Sequence, residues 1–214
     1  MSPDNRQITV VIRFSGRHDR AVPIQVDRDQ QRAHVTDLAM RLVAQQGVAA
    51  LTFRGVAEAA GSSTAIVSTY FTDKRDLLLS TLRAAATRTT VRFEAAQTAG
   101  GDLKECLEAW LPLDEERLMD WRVIIAFWGV AVSDPELAKV QDGHLSRARR
   151  RVERLLRQEH DLTPSVGTLA QQVVALTLGI ALQAAFAAAR PAAHVHRSLL
   201  ADGLCRLGAI AATR

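Results

Sequence analysis

Residues 57–78 read AEAAGSSTAIVSTYFTDKRDLL, and this stretch narrows the possible folds more than any other. Two short apolar helix patterns meet at Ala60-Gly61, with almost no chain between them. Thr52 stands where an N-cap belongs, so its hydroxyl is expected to accept a backbone N–H at the start of a helix over about Phe53–Ala60. Val56, Ala57 and Ala60 form that helix's inner face. Gly61 supplies the turn, where a left-handed backbone is easiest without a Cβ. Ser63 is expected to cap a second helix over about Thr64–Phe71, whose inner positions Val67 and Phe71 are spaced i, i+4. Two short helices around a tight glycine turn, with the small Ala57 at their crossing, predict a helix-turn-helix.

The outer side of the second helix carries small hydroxylated residues where an ordinary helix would place leucines or long charges. Ser and Thr reach phosphates or base edges without holding the backbone away from a major groove. Ser62, Ser63, Thr64, Ala65, Ser68 and Thr69 are therefore candidate DNA contacts, with Thr52 and Arg54 on the preceding helix and Tyr70 for a longer hydroxyl reach. Lys74 opens the next helix, where its charge and the exposed N–H groups would both favour a phosphate. The spacing alone equally fits a structural hairpin with a solvated serine face.

The rest of the chain reads as helix. Glycine and proline are few among 214 residues, 48% of which are hydrophobic. A helix from Asp29 buries Val35, Leu38, Ala39, Leu42 and Val43 and ends at Gly47. After the helix-turn-helix, Asp73 caps a helix running to about Gln97, and Gly100-Gly101 breaks the chain. Further helices are expected over about Asp102–Leu113, Glu115–Val132, Pro135–His160, Thr168–Arg190 and Ala193–Ala212. The fold class is all-α with about nine helices. Residues 1–27 form an irregular arm in which ITVVIRF is at most a short strand, and its arginines Arg6, Arg13, Arg17 and Arg20 suit either disorder or a minor groove. VVALTLGIALQAAFAAA, Val173–Ala189, falls short of the roughly 20 apolar residues of a membrane span, so it is read as a helix buried between a core and a partner. Two widely spaced cysteines and no signal pattern suit a reducing, cytoplasmic home.

Residues 28–78 resemble the DNA-binding region of the tetracycline-repressor (TetR) family of bacterial regulators. The resemblance rests on Thr52, Val56-Ala57, Ala60-Gly61-Ser62-Ser63, Tyr70-Phe71, Lys74 and Leu77. AGSSTAIVSTYFTDKRDLL and LPLDEERLMDWRVIIAFWGVAVSDPELAKV are similar to the choline-responsive, BetI-like subgroup. Ser62 stands in place of the family's usual valine and Ala65 in place of its glycine, so the operator is not transferable from relatives. The resemblance implies a homodimeric repressor with a DNA-binding domain over 28–75 and an effector-binding and dimerisation domain over 76–214. A small molecule would release it from a palindromic operator on double-stranded DNA. The alternative is a helical ligand-binding or scaffold protein without DNA function.

The aromatic residues are scarce, yet Trp110, Trp121, Phe127 and Trp128 fall within nineteen positions. They form either a core stripe or, on the choline-responsive resemblance, a cation-binding wall, with Asp114, Glu115, Glu116 and Asp120 nearby in sequence. The run RARRRVERLLR, Arg147–Arg157, keeps an apolar stripe and reads as a solvated amphipathic face with partners such as Glu153. His194 and His196 lie two apart and do not share a helix face; neither metal spacing, a phosphate loop nor a nucleophile elbow is present, so no cofactor and no enzyme activity are expected. The apolar Thr168–Arg190 helix, with Leu199, Leu200, Leu204, Leu207 and Ile210 of the last helix, is expected to pair with its symmetry mate in a four-helix interface.

Overall fold

The computed structural model describes residues 28–159, 165–187 and 192–210. The expected strand and arginines of residues 1–27 lie outside them. Among the described residues the chain forms nine α-helices and no strand: α1 (Arg28–Gln46), α2 (Phe53–Ala59), α3 (Thr64–Tyr70), α4 (Lys74–Thr98), α5 (Leu103–Glu108), α6 (Glu115–Ala131), α7 (Pro135–Glu159), α8 (Val166–Phe186) and α9 (Ala193–Arg206). A 3-10 turn, Val48–Ala50, joins α1 to α2.

Side-chain caps fix most of the helix starts. Thr52 Oγ1 accepts from Gly55 N at 2.9 Å, Asp73 Oδ1 from Asp76 N at 2.8 Å and Asp114 Oδ1 from Arg117 N at 2.8 Å. Asp102 and Glu105 form a reciprocal capping box at α5. Asp134 Oδ1 accepts from both Glu136 N and Leu137 N beside Pro135, the first residue of α7. Ser63, like Ser165 before α8 and Ala192 before α9, does not cap in this way. Its side chain makes no capping bond; its carbonyl accepts from Ile66 and Val67 instead.

The α2–α3 turn is a Schellman motif. Gly61 N bonds Glu58 O at 3.1 Å and Ser62 N bonds Ala57 O at 2.9 Å, with Gly61 at φ 58°. A second glycine matters for a different reason. A Cβ added to Gly55 would sit 2.6 Å from the backbone oxygen of Ala50, so α2 can approach the 3-10 turn only with glycine there.

Two apolar clusters hold the molecule. The first joins α1–α4 through Met40, Leu51, Val56, Val67, Phe71 and Leu77 and continues into α6 through Trp121, Val123, Ile124 and Phe127. The second joins α5, α7, α8, α9 and the end of α4, with Phe93, Leu107, Trp110, Leu156, Val173 and Leu204 among its members. Leu82 and Phe93 of α4 belong to different clusters, so this helix spans both.

Three helices end at least four residues before the sequence predicts, α8 among them at Phe186 instead of Arg190. The α5 helix ends at Glu108 rather than Leu113, because Leu111 precedes Pro112 and a residue before proline avoids the helical region. The chain instead turns through Trp110 N to Leu107 O and Leu111 N to Glu108 O, which buries Trp110 and Leu111. The α9 helix ends at Arg206, where Gly208 at φ 71° closes it with Ala209 N bonded to Leu204 O. By length and composition α8 could cross a membrane, yet its contacts with α6, α7 and α9 make it a packing element of the second cluster.

Candidate nucleic-acid interface and ligand cavity

The α3 helix is held from beneath and from its flank. Val67 and Phe71 are buried, and the Arg32 guanidinium lies 5.2 Å from the centre of the Phe71 ring. Arg28 Nη2 donates to Thr69 O at 2.9 Å, and the Tyr70 hydroxyl donates to Gln31 Oε1. Arg32 also donates to Ser80 Oγ at 3.0 Å and pairs with Asp76. These α1 residues fix the angle between α3 and α4. Sequence reasoning passed over Arg28, Gln31 and Arg32; their only signal is a polar, basic first turn and a half on a helix that buries its other face.

What α3 presents outward is Ser63, Thr64, Ala65 and Ser68, all exposed. Thr69 is half-buried. The Ser68 and Thr69 hydroxyls donate to the carbonyls of Ala65 and Ile66, which leaves their oxygen lone pairs as acceptors. Ser62 differs from the expected outward placement. Its Oγ is buried without a hydrogen-bond partner among the described residues, and the residue is half-buried at the turn where its N–H bonds Ala57 O. Tyr70 is half-buried and packs on the first cluster, so its hydroxyl reaches α1. Thr52 serves as the α2 cap, and Arg54 is exposed beside Glu58 at 2.9 Å. Lys74 is exposed at the start of α4. The expected N–H site there is already occupied in part: Asp73 takes the Asp76 N–H, and Asp76 Oδ2 accepts from Thr72 N at 3.1 Å.

A cavity of about 310 Å³ opens between α4, α6 and α7. Trp110, Trp121 and Trp128 line it, together with Arg83, His144, Arg147 and Arg151. Trp121 Nε1 donates to Trp110 O at 2.6 Å, Trp110 stacks on Phe93 at 4.7 Å, and Trp121 and Trp128 meet edge-on at 6.1 Å. Trp128 Nε1 is buried with no acceptor among the described residues. Phe127, expected with the tryptophans, is absent from the lining. It sits about 100° around α6 from Trp128 and packs in the first cluster.

No carboxylate lines this cavity among the described residues. Asp120, one turn before the cavity-lining Ile124 on α6, is fully buried, 2.5 Å from Arg92 and 3.5 Å from Arg88. Burial pushes its carboxyl above the ordinary carboxylate range, against the pull of those two arginines. Asp114 caps α6 and pairs with Arg117, and Glu116 lies 3.8 Å from Arg88. The run 147–157 also departs from a wholly solvated face. Val152, Leu155 and Leu156 are buried and Arg157 pairs with Glu153 as expected, but Arg147 and Arg151 turn into the cavity wall. His144, within that wall, is held below its ordinary pKa by burial and by Arg147, Arg83 and Arg151.

The interface and the cavity are mechanically connected. The N-terminal end of α4 follows α3 directly, and its middle turns line the cavity through Leu82, Arg83 and Thr90. Arg75 pairs with Asp134 at 3.0 Å, which ties α4 to the α6–α7 corner. Arg88 pairs with Asp37 at 2.7 Å, which ties α4 to α1.

Comparison with known proteins agrees with this arrangement. Residues 35–81 match the family described as "Bacterial regulatory proteins, tetR family", and residues 99–209, just over half of the chain, match "BetI-type transcriptional repressor, C-terminal". The HTH-type transcriptional regulators BetI of Paraburkholderia phymatum and Burkholderia cenocepacia are each 31% identical over 121 residues, 53% of this chain. The match spans 61% of the length of those relatives. Among solved structures, a transcriptional regulator from Rhodococcus sp. RHA1 superimposes with a TM-score of 0.74 at 25% identity, covering 82% of this chain and 95% of that one. A regulator from Saccharomonospora viridis, solved in complex with choline, shares the fold at a TM-score of 0.71 and 22% identity, covering 82% and 96%. These families are of transcriptional regulators, not enzymes. The chain belongs to the TetR family of bacterial regulatory proteins, with a BetI-type C-terminal domain.

Proposed function

We propose that the protein is a cytoplasmic, homodimeric repressor that binds a palindromic operator through α3 and releases it when a small molecule occupies the α4–α6–α7 cavity. The observation that carries this reading is the outward face of α3: four exposed small residues, Ser63, Thr64, Ala65 and Ser68, on a helix anchored by buried Val67 and Phe71. A backbone so thinly covered can enter a major groove, and the flanking Arg54 and Lys74 supply phosphate contacts.

The regulation is a population shift. A ligand that spreads α4 from α7 moves Arg75 and Arg88, and with them the bonds that set α3 against α1. Two recognition helices in a dimer must match half-sites about one helical turn apart, so a small tilt of α4 costs operator affinity. The dimer would form across α8 and α9, where Phe186 and Leu199 stay 73% and 51% exposed beside Val195.

The test is binding of the full chain to DNA from its own promoter region across a salt series. Specific, salt-sensitive binding to a palindrome is expected. Lys74→Ala should reduce the salt slope by about one, since it removes one phosphate contact. A dimer at micromolar concentration is expected by sedimentation. A monomer, or binding no tighter to the promoter than to unrelated DNA, would instead favour a helical ligand-binding protein without operator function.

A further inference from the structure

The cavity's electrical sign is opposite to the one a choline-type ligand needs. Four nitrogen-bearing side chains of basic residues line it, from two different helices: Arg83 of α4 and His144, Arg147 and Arg151 of α7. Arg151 is partly neutralised by Glu94 at 3.1 Å. Arg83 and Arg147 have no hydrogen-bond or ion-pair partner among the described residues. Their guanidinium groups cannot lose their protons, so the cavity keeps its positive potential at any physiological pH. Aromatic faces do attract a cation, but two exposed guanidinium groups on the cavity wall, neither paired among the described residues, oppose one electrostatically. Asp120, the carboxylate that would offset this, is outside the lining and pairs with Arg92 and Arg88.

We propose that the ligand of this cavity is an amphipathic carboxylate: an anionic head held by Arg83 and Arg147 and an apolar body laid along Trp121 and Trp128. The inference rests on the cavity being the effector site, and it names the chemical class that site takes. Guanidinium groups match a carboxylate by paired, charge-assisted hydrogen bonds. The buried, unpartnered indole N–H of Trp128 is a donor only, which again suits an acceptor-rich ligand and offers a quaternary ammonium nothing. Room for the body continues beyond the first cavity. A second chamber of about 500 Å³ shares Trp128, Gln141, Leu145 and Leu178 with it and is walled chiefly by apolar residues, among them Ala131 and Leu182, with Asp142 as its one carboxylate.

Three ligands with one tail and three heads test the proposal: decanoate, decanol and decyltrimethylammonium, each below its micelle concentration. Binding to the full chain is read by calorimetry and tryptophan emission, without DNA. Decanoate is expected to bind at least about tenfold more tightly than either of the others, consistent with charge-assisted bonds being about twice as strong as neutral ones. The variant Arg83→Met/Arg147→Met is expected to lose that preference while keeping its helicity and its weak affinity for decanol. Equal or tighter binding of decyltrimethylammonium, no binding of decanoate, or decanoate affinity unchanged in the folded double variant would each overturn the assignment. A parallel operator-release assay separates the two readings: decanoate that binds by calorimetry but leaves the protein on DNA supports the carboxylate site and counts against the repressor mechanism.

Discussion

Replacing Gly55 with alanine should lower stability, although a helix-propensity argument gives the opposite sign. Gly55 lies inside α2, and exchanging glycine for alanine within a helix normally gains about 1 kcal/mol. Here the new Cβ would lie 2.6 Å from Ala50 O, 3.2 Å from Thr52 Oγ1 and 3.4 Å from the Leu42 Cδ2 methyl. Carbon–oxygen contacts settle at about 3.3 Å, so the backbone of α2 must retreat by about 0.7 Å. The obstacle is main chain rather than a side-chain tip, and the 3-10 turn is pinned by Leu51 N to Val48 O and Thr52 N to Ala50 O. Overpacking of this kind costs about 1–3 kcal/mol. The Gly55 N–H is itself the donor to the Thr52 cap, and stretching that bond forfeits up to about 1 kcal/mol more. With the propensity gain subtracted, the net expectation is a loss of up to about 3 kcal/mol, at roughly 2–4 °C in Tm per kcal/mol for a chain of this size. The matched control is Gly129→Ala in α6, where an added Cβ meets nothing within 4 Å and φ is not positive; it should stabilise by about 0.5–1 kcal/mol. Urea denaturation of both variants at one pH decides the matter. A Gly55→Ala protein as stable as the Gly129→Ala protein would refute the close approach of α2 to the turn.

Trp121→Phe removes the indole donor that serves the Trp110 carbonyl and should cost about 1–3 kcal/mol in urea denaturation, with loss of ligand-induced emission change in the remaining tryptophans. Asp134 is held below the ordinary carboxylate range chiefly by its bond to Arg75 and then by the Leu137 N–H. Its contribution is therefore fully present above the unfolded value near pH 4 and is lost as pH falls through the lower folded value, so the stability gap between wild type and Asp134→Asn should close on acidification. The opposite type of group gives the same direction at a higher pH. His144 has a folded pKa below its unfolded one, through burial and then Arg147, Arg83 and Arg151, so its contribution is complete above about pH 6.5 and declines as pH falls below it. His144→Gln should flatten stability between pH 7.5 and pH 5.5 relative to wild type, and an unchanged pH profile would mean that the imidazole does not feel those arginines.

Some of this protein could be read from its sequence alone. Helix type and most helix starts were legible because they are local: Thr52, Asp73, Asp102, Asp114 and Asp134 act within three residues of themselves, and apolar spacing fixes a helix's inner face. The helix-turn-helix was legible for the same reason, since Gly61 and the Val67–Phe71 pair belong to one short stretch. Tertiary structure decided what long-range contact decides. Tyr70 turned out to be bonded to Gln31, thirty-nine residues away, and Ser62 to have its Oγ buried rather than outward. Above all, the sequence placed four acidic residues next to the tryptophans and the basic run far from them, whereas folding reversed the proximity. A helix spreads neighbouring residues around its axis by about 100° each, so Asp120 and Trp121 face different partners. Packing α7 against α6 and α8, with Arg151 paired to Glu94 of α4, then brings Arg147 and Arg151 to the cavity that Trp121 and Trp128 line, and the sign of the cavity follows from that packing rather than from any stretch of the chain.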